Sequence, residues 1–347
     1  MIADLHCDTI SKLRDYRLGR LVRVTGMGRT PERDAGYRQA ACEEMKGLLQ
    51  NEFHLDLERM KRADYLLQNF ALYIDSEVEQ DVFGAYREMY AVFREEMQKN
   101  ADIIRQVVCF SDIEENRNAG RISALLTVEE GQAADSLERL EELFRDGVRL
   151  ITLTWNHRNA LGCPNCIRPD GTNSLTQPNT EEGLTEYGFR VISRMEELGM
   201  MIDVSHLSDR GFYDVCENTT KPFLASHSNA RAVTSHVRNL TDDMIRRLSV
   251  RGGIIGVNFE TTFLGEKNDC GIAAVVRHLE HLRRVGGEDC LALGSDFDGI
   301  KGNPELTDVQ DMVNLRDALE RAGWKPRVLE KLFYENVLRF YRDVLPE

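Results

Sequence analysis

Ile2-Ala3-Asp4-Leu5-His6-Cys7-Asp8 opens the chain with a short apolar run that ends in an imidazole and a carboxylate. Seven further short apolar runs follow along the chain: Asn69–Ile74, Ser123–Glu129, Leu150–Trp155, Met200–His206, Pro222–His227, Gly253–Phe259 and Leu291–Asp296. Most are dense in Val, Ile and Leu with little alternation, as strands of a parallel sheet buried on both faces are. Helical patterns separate most of them. Val82–Gln98 spaces Phe83, Tyr86, Tyr90, Phe93 and Met97 three or four apart. Asp135–Arg145 precedes Gly147, Glu186–Leu198 stops at Gly199, Thr241 caps Asp242–Val250, and Gly271–Val285 runs into Gly286-Gly287. Strand–helix alternation repeated eight times predicts an α/β fold, a closed (β/α)8 TIM barrel that occupies residues 1–347 as one domain. Asp308–Tyr341 adds two C-terminal helices, expected to close over the outside.

Composition sets limits on function. Of 347 residues 42% are apolar and 29% charged, ordinary proportions for a soluble protein with a sizeable core. The formal charge of −14 argues against nucleic acid as a partner. No segment approaches 18 consecutive apolar residues, so no membrane span is expected. The opening MIADLHCDTI has neither a basic nor an apolar leader region, and a cytoplasmic enzyme is the expectation. The eight cysteines are scattered, which predicts reduced thiols rather than a disulfide scaffold. Cys163-Pro164-Asn165-Cys166 is a lone CxxC, a weak zinc signal that reads better as a loop feature. It lies in an insertion, Asn156–Gly183, long enough to serve as a lid or substrate wall. Gly26–Ala35 is a second irregular stretch. A homodimer is the candidate assembly.

The residues at the strand ends suggest the chemistry. His6 and Asp8 end the first run, Glu129 the third, His206 the fifth, His227 the sixth and Asp296 the eighth. Barrel enzymes gather their functional groups at the C-terminal ends of the strands, so these residues should converge there. Residues i and i+2 of a strand share a side, which lets His6 and Asp8 grip one divalent ion, zinc or a neighbour. His206 and His227 are placed to take a second. Glu129 has two oxygens and can bridge both. Each residue alone is weak evidence; the joint pattern carries the argument. Of the other histidines, His54, His157 and His236 end no candidate strand, and His278 and His281 read as a solvated helix face beside Arg277 and Arg283.

The chain resembles the membrane dipeptidase (renal dipeptidase) family of the amidohydrolase superfamily. The matching pieces are Asp4–Thr9, Thr127–Glu129, Leu150–Thr154, Met201–His206, Ala225–Ser228, Arg238–Leu240, Gly253–Phe259 and Gly294–Gly299, in the family's order over nearly the whole chain. HxD at the first strand, rather than HxH, narrows the match to this branch. The resemblance implies two Zn2+ per chain, one on His6 and Asp8, one on His206 and His227, bridged by Glu129. It implies Asp296 as the acid/base, Arg238 as the cation that holds the substrate carboxylate, and dipeptides as substrates, with a D-residue tolerated at the C-terminal position. Three positions depart from the pattern. Trp155 replaces a substrate-contacting histidine, with His157 two residues on as the candidate substitute. Glu260 replaces an aromatic. Glu130 stands where the family tends to place glycine, which leaves open a one-residue slip in the bridging carboxylate.

The expected chemistry is attack on a peptide carbonyl by a hydroxide that the two ions generate, with Asp296 moving the proton to the leaving amine. Two other readings compete. An amidohydrolase acting on N-acyl-amino acids, lactones or phosphoesters would keep the barrel and change the substrate. Phosphoester specialists should carry more basic residues at the mouth, where only Arg238 is expected. A non-catalytic binding protein on a degenerate barrel should lack ligands, yet all five ligand positions and Asp296 are filled.

Overall fold

In the computed structural model, which describes residues 1–20, 47–266 and 268–346, nine parallel strands form one sheet. They are β1 (Ile2–Cys7), β2 (Tyr65–Tyr73), β3 (Ile104–Gln106), β4 (Ile122–Glu129), β5 (Val148–Thr152), β6 (Met201–Asp203), β7 (Leu224–Ala225), β8 (Ile254–Val257) and β9 (Leu291–Leu293). The order β2-β1-β9-β8-β7-β6-β5-β4 closes on itself through β2–β4 pairing, seven residues in register from Leu67↔Ser123 to Tyr73↔Glu129. This is the expected (β/α)8 barrel. β3 was not foreseen: its three residues extend only the start of β4, while β5 takes the far end of the same edge. Gly26–Ala35 lies outside the described residues.

The helices follow their sequence signals. Thr185 accepts from Gly188 N and Gly199 ends that helix at φ 73°; Thr241 accepts from Met244 N. Two expectations need correction. His278 and His281 do not form a solvated face: both are buried. His278 accepts from Ala230 N and meets Leu264 O at 3.1 Å, and His281 Nε2 lies 2.6 Å from Asp242 Oδ1. The helix Ile272–Gly286 thus packs its histidines inward and uses them to hold Ala230, Leu264 and Asp242 of neighbouring segments. Nor does the C-terminal segment only cover the outside. Its last helix, Asn336–Val344, packs Val337, Phe340 and Tyr341 against Leu5, Leu125 and Met201 of the barrel interior. Tyr341 donates to Asn69 inside the barrel (2.6 Å), and Arg339 donates to Gly252 O and Asp289 O, just ahead of β8 and β9. The helix seals the N-terminal end of the barrel and leaves the other end for function.

β1 carries a register shift, three of its steps set against two of β2 between Asp4↔Gln68 and Cys7↔Phe70. Such a bulge re-aims side chains. Ala3 and Leu5 belong to the interior cluster, whereas Cys7, which strict alternation would place with them, joins the core between sheet and helices. His6 and Asp8 are turned to the mouth by the same shift.

Candidate active site

Several strands stop before the residues expected to end them. β6 ends three residues before His206, β7 two before His227 and β9 three before Asp296. At two of these ends the backbone leaves the extended conformation: His206 (φ 68°) and Asp296 (φ 62°) are left-handed and cannot continue a strand. Gly299 sits where Asp8 and Asp296 converge; a Cβ there would lie 2.2 Å from Asp8 Oδ2 and 2.3 Å from Asp296 Oδ1.

His6, Asp8, Glu129, His206, His227 and Asp296 meet in one buried cluster. Glu129 stands at its centre. Its Oε1 lies 3.0 Å from His206 Nε2 and 3.4 Å from His227 Nε2, while its Oε2 lies 3.4 Å from His6 Nε2. His6 Nε2 is also 3.3 Å from Asp8 Oδ2 and 3.8 Å from Asp296 Oδ1. The one-residue slip does not occur, since Glu130 turns away from the cluster to bond Ser76, Gln132 and Asn159.

The donors fit divalent metal. Both nitrogens of His6 and both oxygens of Asp8 are buried with no hydrogen-bond partner among the described residues. His206 and His227 point their Nε2 atoms at one another, 3.0 Å apart. Their far nitrogens are engaged: His206 Nδ1 with Asn156 Oδ1 (2.9 Å), His227 Nδ1 with Ser226 Oγ (2.7 Å). A proton on each Nδ1 satisfies those bonds and leaves both Nε2 lone pairs free, the arrangement of ligating histidines.

Burial, assisted by Arg238, lowers His206 to about 3. Burial and His6 hold His227 well below the usual imidazole range. At His6 burial acts in the same direction, but Glu129 and Asp8 outweigh it and raise His6 well above that range. Asp8 is raised to about 6 by burial and by Glu129, against the pull of His6. Burial, with repulsion from Asp8 and Glu129, raises Asp296 well above the carboxylate range.

Two aspartates that sequence reasoning left without a role organise the cluster. Asp4 accepts from Ser295 N (2.9 Å) and Ser295 Oγ (2.5 Å); Asp203 accepts from Ser226 N (2.8 Å) and Ser226 Oγ (2.5 Å). In each case a buried aspartate grips the serine that precedes Asp296 or His227. Asp203 also accepts from Thr152 Oγ1 and Ser205 N, which gathers β5, β6 and β7 around one carboxylate. Asn258 donates to Asp296 Oδ2 (2.9 Å). An aspartate inside an apolar strand was the available signal, because a buried acid must be paired.

Arg238 is buried beside the cluster. Its Nη2 donates to His227 O (3.1 Å), its guanidinium lies 5.3 Å from the centre of the Phe263 ring, and its Nε has no partner among the described residues. Trp155 stands at the mouth, its ring 6.2 Å from that of His206 and 4.9 Å from Tyr73. His157 is not drawn into the cluster: it lies behind Trp155, with Nε2 3.5 Å from Asp75 and Nδ1 3.1 Å from Glu77. The CxxC cysteines are free, and the hub of that loop is Asn165, which donates to Asp209 and Val237 O and accepts from Asn179 N. The insertion is thereby stitched to the Val237-Arg238 segment.

Comparison with known proteins agrees with this geometry. The family model of the membrane dipeptidases (peptidase family M19) matches residues 1–345. An uncharacterized dipeptidase of Schizosaccharomyces pombe is 33% identical over 308 residues, 83% of this chain and 72% of that protein. An uncharacterized Klebsiella pneumoniae protein, encoded in the pqqA 5' region, is 35% identical over 261 residues, 73% of this chain and 94% of its own length. Among solved structures, the dipeptidase AC, a metallopeptidase of family M19, superposes with a TM-score of 0.82 at 27% identity, covering 99% of this chain and 98% of that one. A Rhodobacter sphaeroides metallopeptidase liganded with a phosphinate mimic of the dipeptide L-Ala-D-Ala superposes with a TM-score of 0.79 at 26% identity, covering 99% of both chains. With a match that runs from the HxD strand to the sealing helix, the chain belongs to the membrane dipeptidase family and is a metallodipeptidase.

Proposed function

We propose that the enzyme is a binuclear zinc dipeptidase that cleaves free dipeptides and accepts a D-residue at the C-terminal position. The observation that carries this reading is the division of Glu129, with one oxygen toward His206 and His227 and the other toward His6. Two ions would be held by His6 and Asp8 on one side and by His206 and His227 on the other, with Glu129 within reach of both. Two such ions supply an activated water and a polarised scissile carbonyl.

The remaining steps fall to the chain. Asp296, oriented by Asn258 and able to hold a proton, takes one from the attacking water and delivers it to the leaving amine. Arg238 receives the substrate carboxylate; a buried guanidinium whose Nε has no partner among the described residues suits a planar anion. Trp155 forms the wall beside His206, and His157 supports that wall from behind. The dipeptide mimic bound by the Rhodobacter relative supports the stereochemical part of the proposal. Metal analysis together with assays on L,L- and L,D-dipeptides tests it. Two equivalents per chain and turnover of both series are expected. One equivalent, or full activity after chelation, would sink it.

A further inference from the structure

Glu130 has a backbone φ of 137° and ψ of 100°, a conformation in which glycine is at ease and a side chain is strained. It is fully buried and directly follows another buried carboxylate. Burial raises Glu130 above the usual carboxylate range. Conformation and burial both disfavour glutamate here, so what the side chain holds must account for it.

It holds the rim. Its carboxylate accepts from Gln132 N (2.9 Å), Ser76 Oγ (3.2 Å) and Asn159 Nδ2 (2.5 Å). Asn159 in turn donates to Leu153 O and accepts from Leu161 N and Gly162 N, and Ala160 N donates to Gln132 Oε1. Residues 153 and 159–162 are therefore tied to 130–132. Between these ties lie Trp155 beside His206, Asn156 whose Oδ1 meets His206 Nδ1, and His157. Ser76 lies between Asp75 and Glu77, the two acids that His157 faces. Glu130 from beneath and His157 from above join the same two rim segments.

We propose that Glu130 is a positioning residue. It sets where the Trp155–His157 segment stands over the cluster, and through Asn156 it sets the orientation of the His206 ring. The inference rests on the proposed reading of the cluster as the catalytic centre. Its test includes a signal independent of that reading. The chain has two tryptophans, and Trp324 is buried with Arg283 over its ring. In a Trp324→Phe background, fluorescence reports Trp155 alone.

Glu130→Gly suits the backbone and removes the ties, while Glu130→Gln keeps an acceptor oxygen. At saturating metal, Glu130→Gly should fold, expose Trp155 to acrylamide quenching and lower kcat/KM for dipeptides about 10- to 100-fold, the scale of a small misplacement. Glu130→Gln should restore most of both. If Glu130→Gly fails to fold, Asn159→Asp keeps the turn at 159–162 and removes the donor to Glu130, and it should expose Trp155 in the same way. Unchanged Trp155 quenching with unchanged kcat/KM in either folded variant overturns the proposal. Increased quenching in a protein that cleaves no dipeptide supports the positioning role and condemns the catalytic reading instead.

Discussion

The two pairs around Glu129 that the proposed reading assigns to metal are built differently. Both rings of the His206/His227 pair are fixed from behind, His206 by Asn156 and His227 by Ser226, which Asp203 holds. The His6/Asp8 pair has no such side-chain support among the described residues. Its placement comes from the β1 register shift and from backbone bonds, Asp8 N to Phe297 O and Asp296 N to His6 O. The serine on that side, Ser295, bonds Asp4 and His6 O but no ligand side chain. One half of the site is therefore oriented before any ion arrives. The other is delivered by the strand and, in the proposed reading, would take its final geometry from the ion. Supported ligands bind more tightly, by about 10- to 100-fold on removal of such a partner.

Glu129 and Asp296 mark the limits of the contrast and carry the largest effects. Glu129→Gln strikes both halves, since an amide offers one acceptor oxygen where two are needed; metal content should fall by both equivalents and activity with it. Asp296→Asn keeps the five ligands and should lower kcat by about 10²–10⁴-fold. Retention of both equivalents by Glu129→Gln would remove the bridge from the scheme.

Exchanging the two serines tests the asymmetry itself. Ser226→Ala should weaken one ion by about 10- to 100-fold and leave the other in place, measured by competition with a chelator. Ser295→Ala should leave both affinities unchanged and cost stability of about 1–3 kcal/mol by removing the hydroxyl donor from buried Asp4 Oδ2, seen in thermal unfolding. Equal losses of affinity in the two variants would show that the halves do not differ.

Arg238 extends the supported half toward substrate, since it donates to His227 O. Arg238→Ala and Arg238→Lys should raise KM for free dipeptides by a charge-assisted contact of about 1.5–3 kcal/mol, roughly ten- to a hundred-fold. C-terminally amidated dipeptides lack the anion and should show almost no penalty. A penalty of the same size on both would make Arg238 a support for His227 rather than a carboxylate site.

The supported and unsupported halves also differ in how they could be read. All six cluster residues are visible in the sequence because each follows an apolar run, and barrel topology brings such ends together. The strand limits are not visible: the left-handed turns at His206 and Asp296 depend on tertiary packing that overrides an extended-looking pattern. The supports are hidden for another reason. Asp203, Ser226 and Asn156 are ordinary residue types whose role is set by contacts across 23 to 50 positions. His278 misled for the same cause, since its arginine neighbours suggested solvent while Ala230 and Leu264, far along the chain, take up both its nitrogens. The sealing helix could be recognised as a helix, but its site of docking could not.

The smallest expected effect is one of pH, and it separates the halves without mutation. A ligating imidazole must lose the proton that competes for its lone pair, so affinity falls as pH drops below that proton's pKa. His206 is lowered to about 3 and His227 well below the ordinary value, so protons do not compete for this pair across the mildly acidic range. His6 is raised well above 6.5, because Glu129 and Asp8 outweigh the burial that would lower it, and Asp8 itself is raised to about 6. His6 thus already holds its proton at neutrality, Asp8 takes one up as pH falls through 6, and an ion there must displace both. The sign is fixed: acidification should release one equivalent from the His6/Asp8 side first, while the second stays until the medium is considerably more acidic. Dialysis against a weak chelator between pH 7.5 and 5, with metal counted at each step, should show a plateau at one equivalent. Ser226→Ala should shorten that plateau by loosening the retained ion, and Asn156→Ala should do the same from the other ring. Loss of both equivalents in a single step, unaltered by either substitution, would mean that the bridge through Glu129 couples the halves too strongly for their different supports to matter.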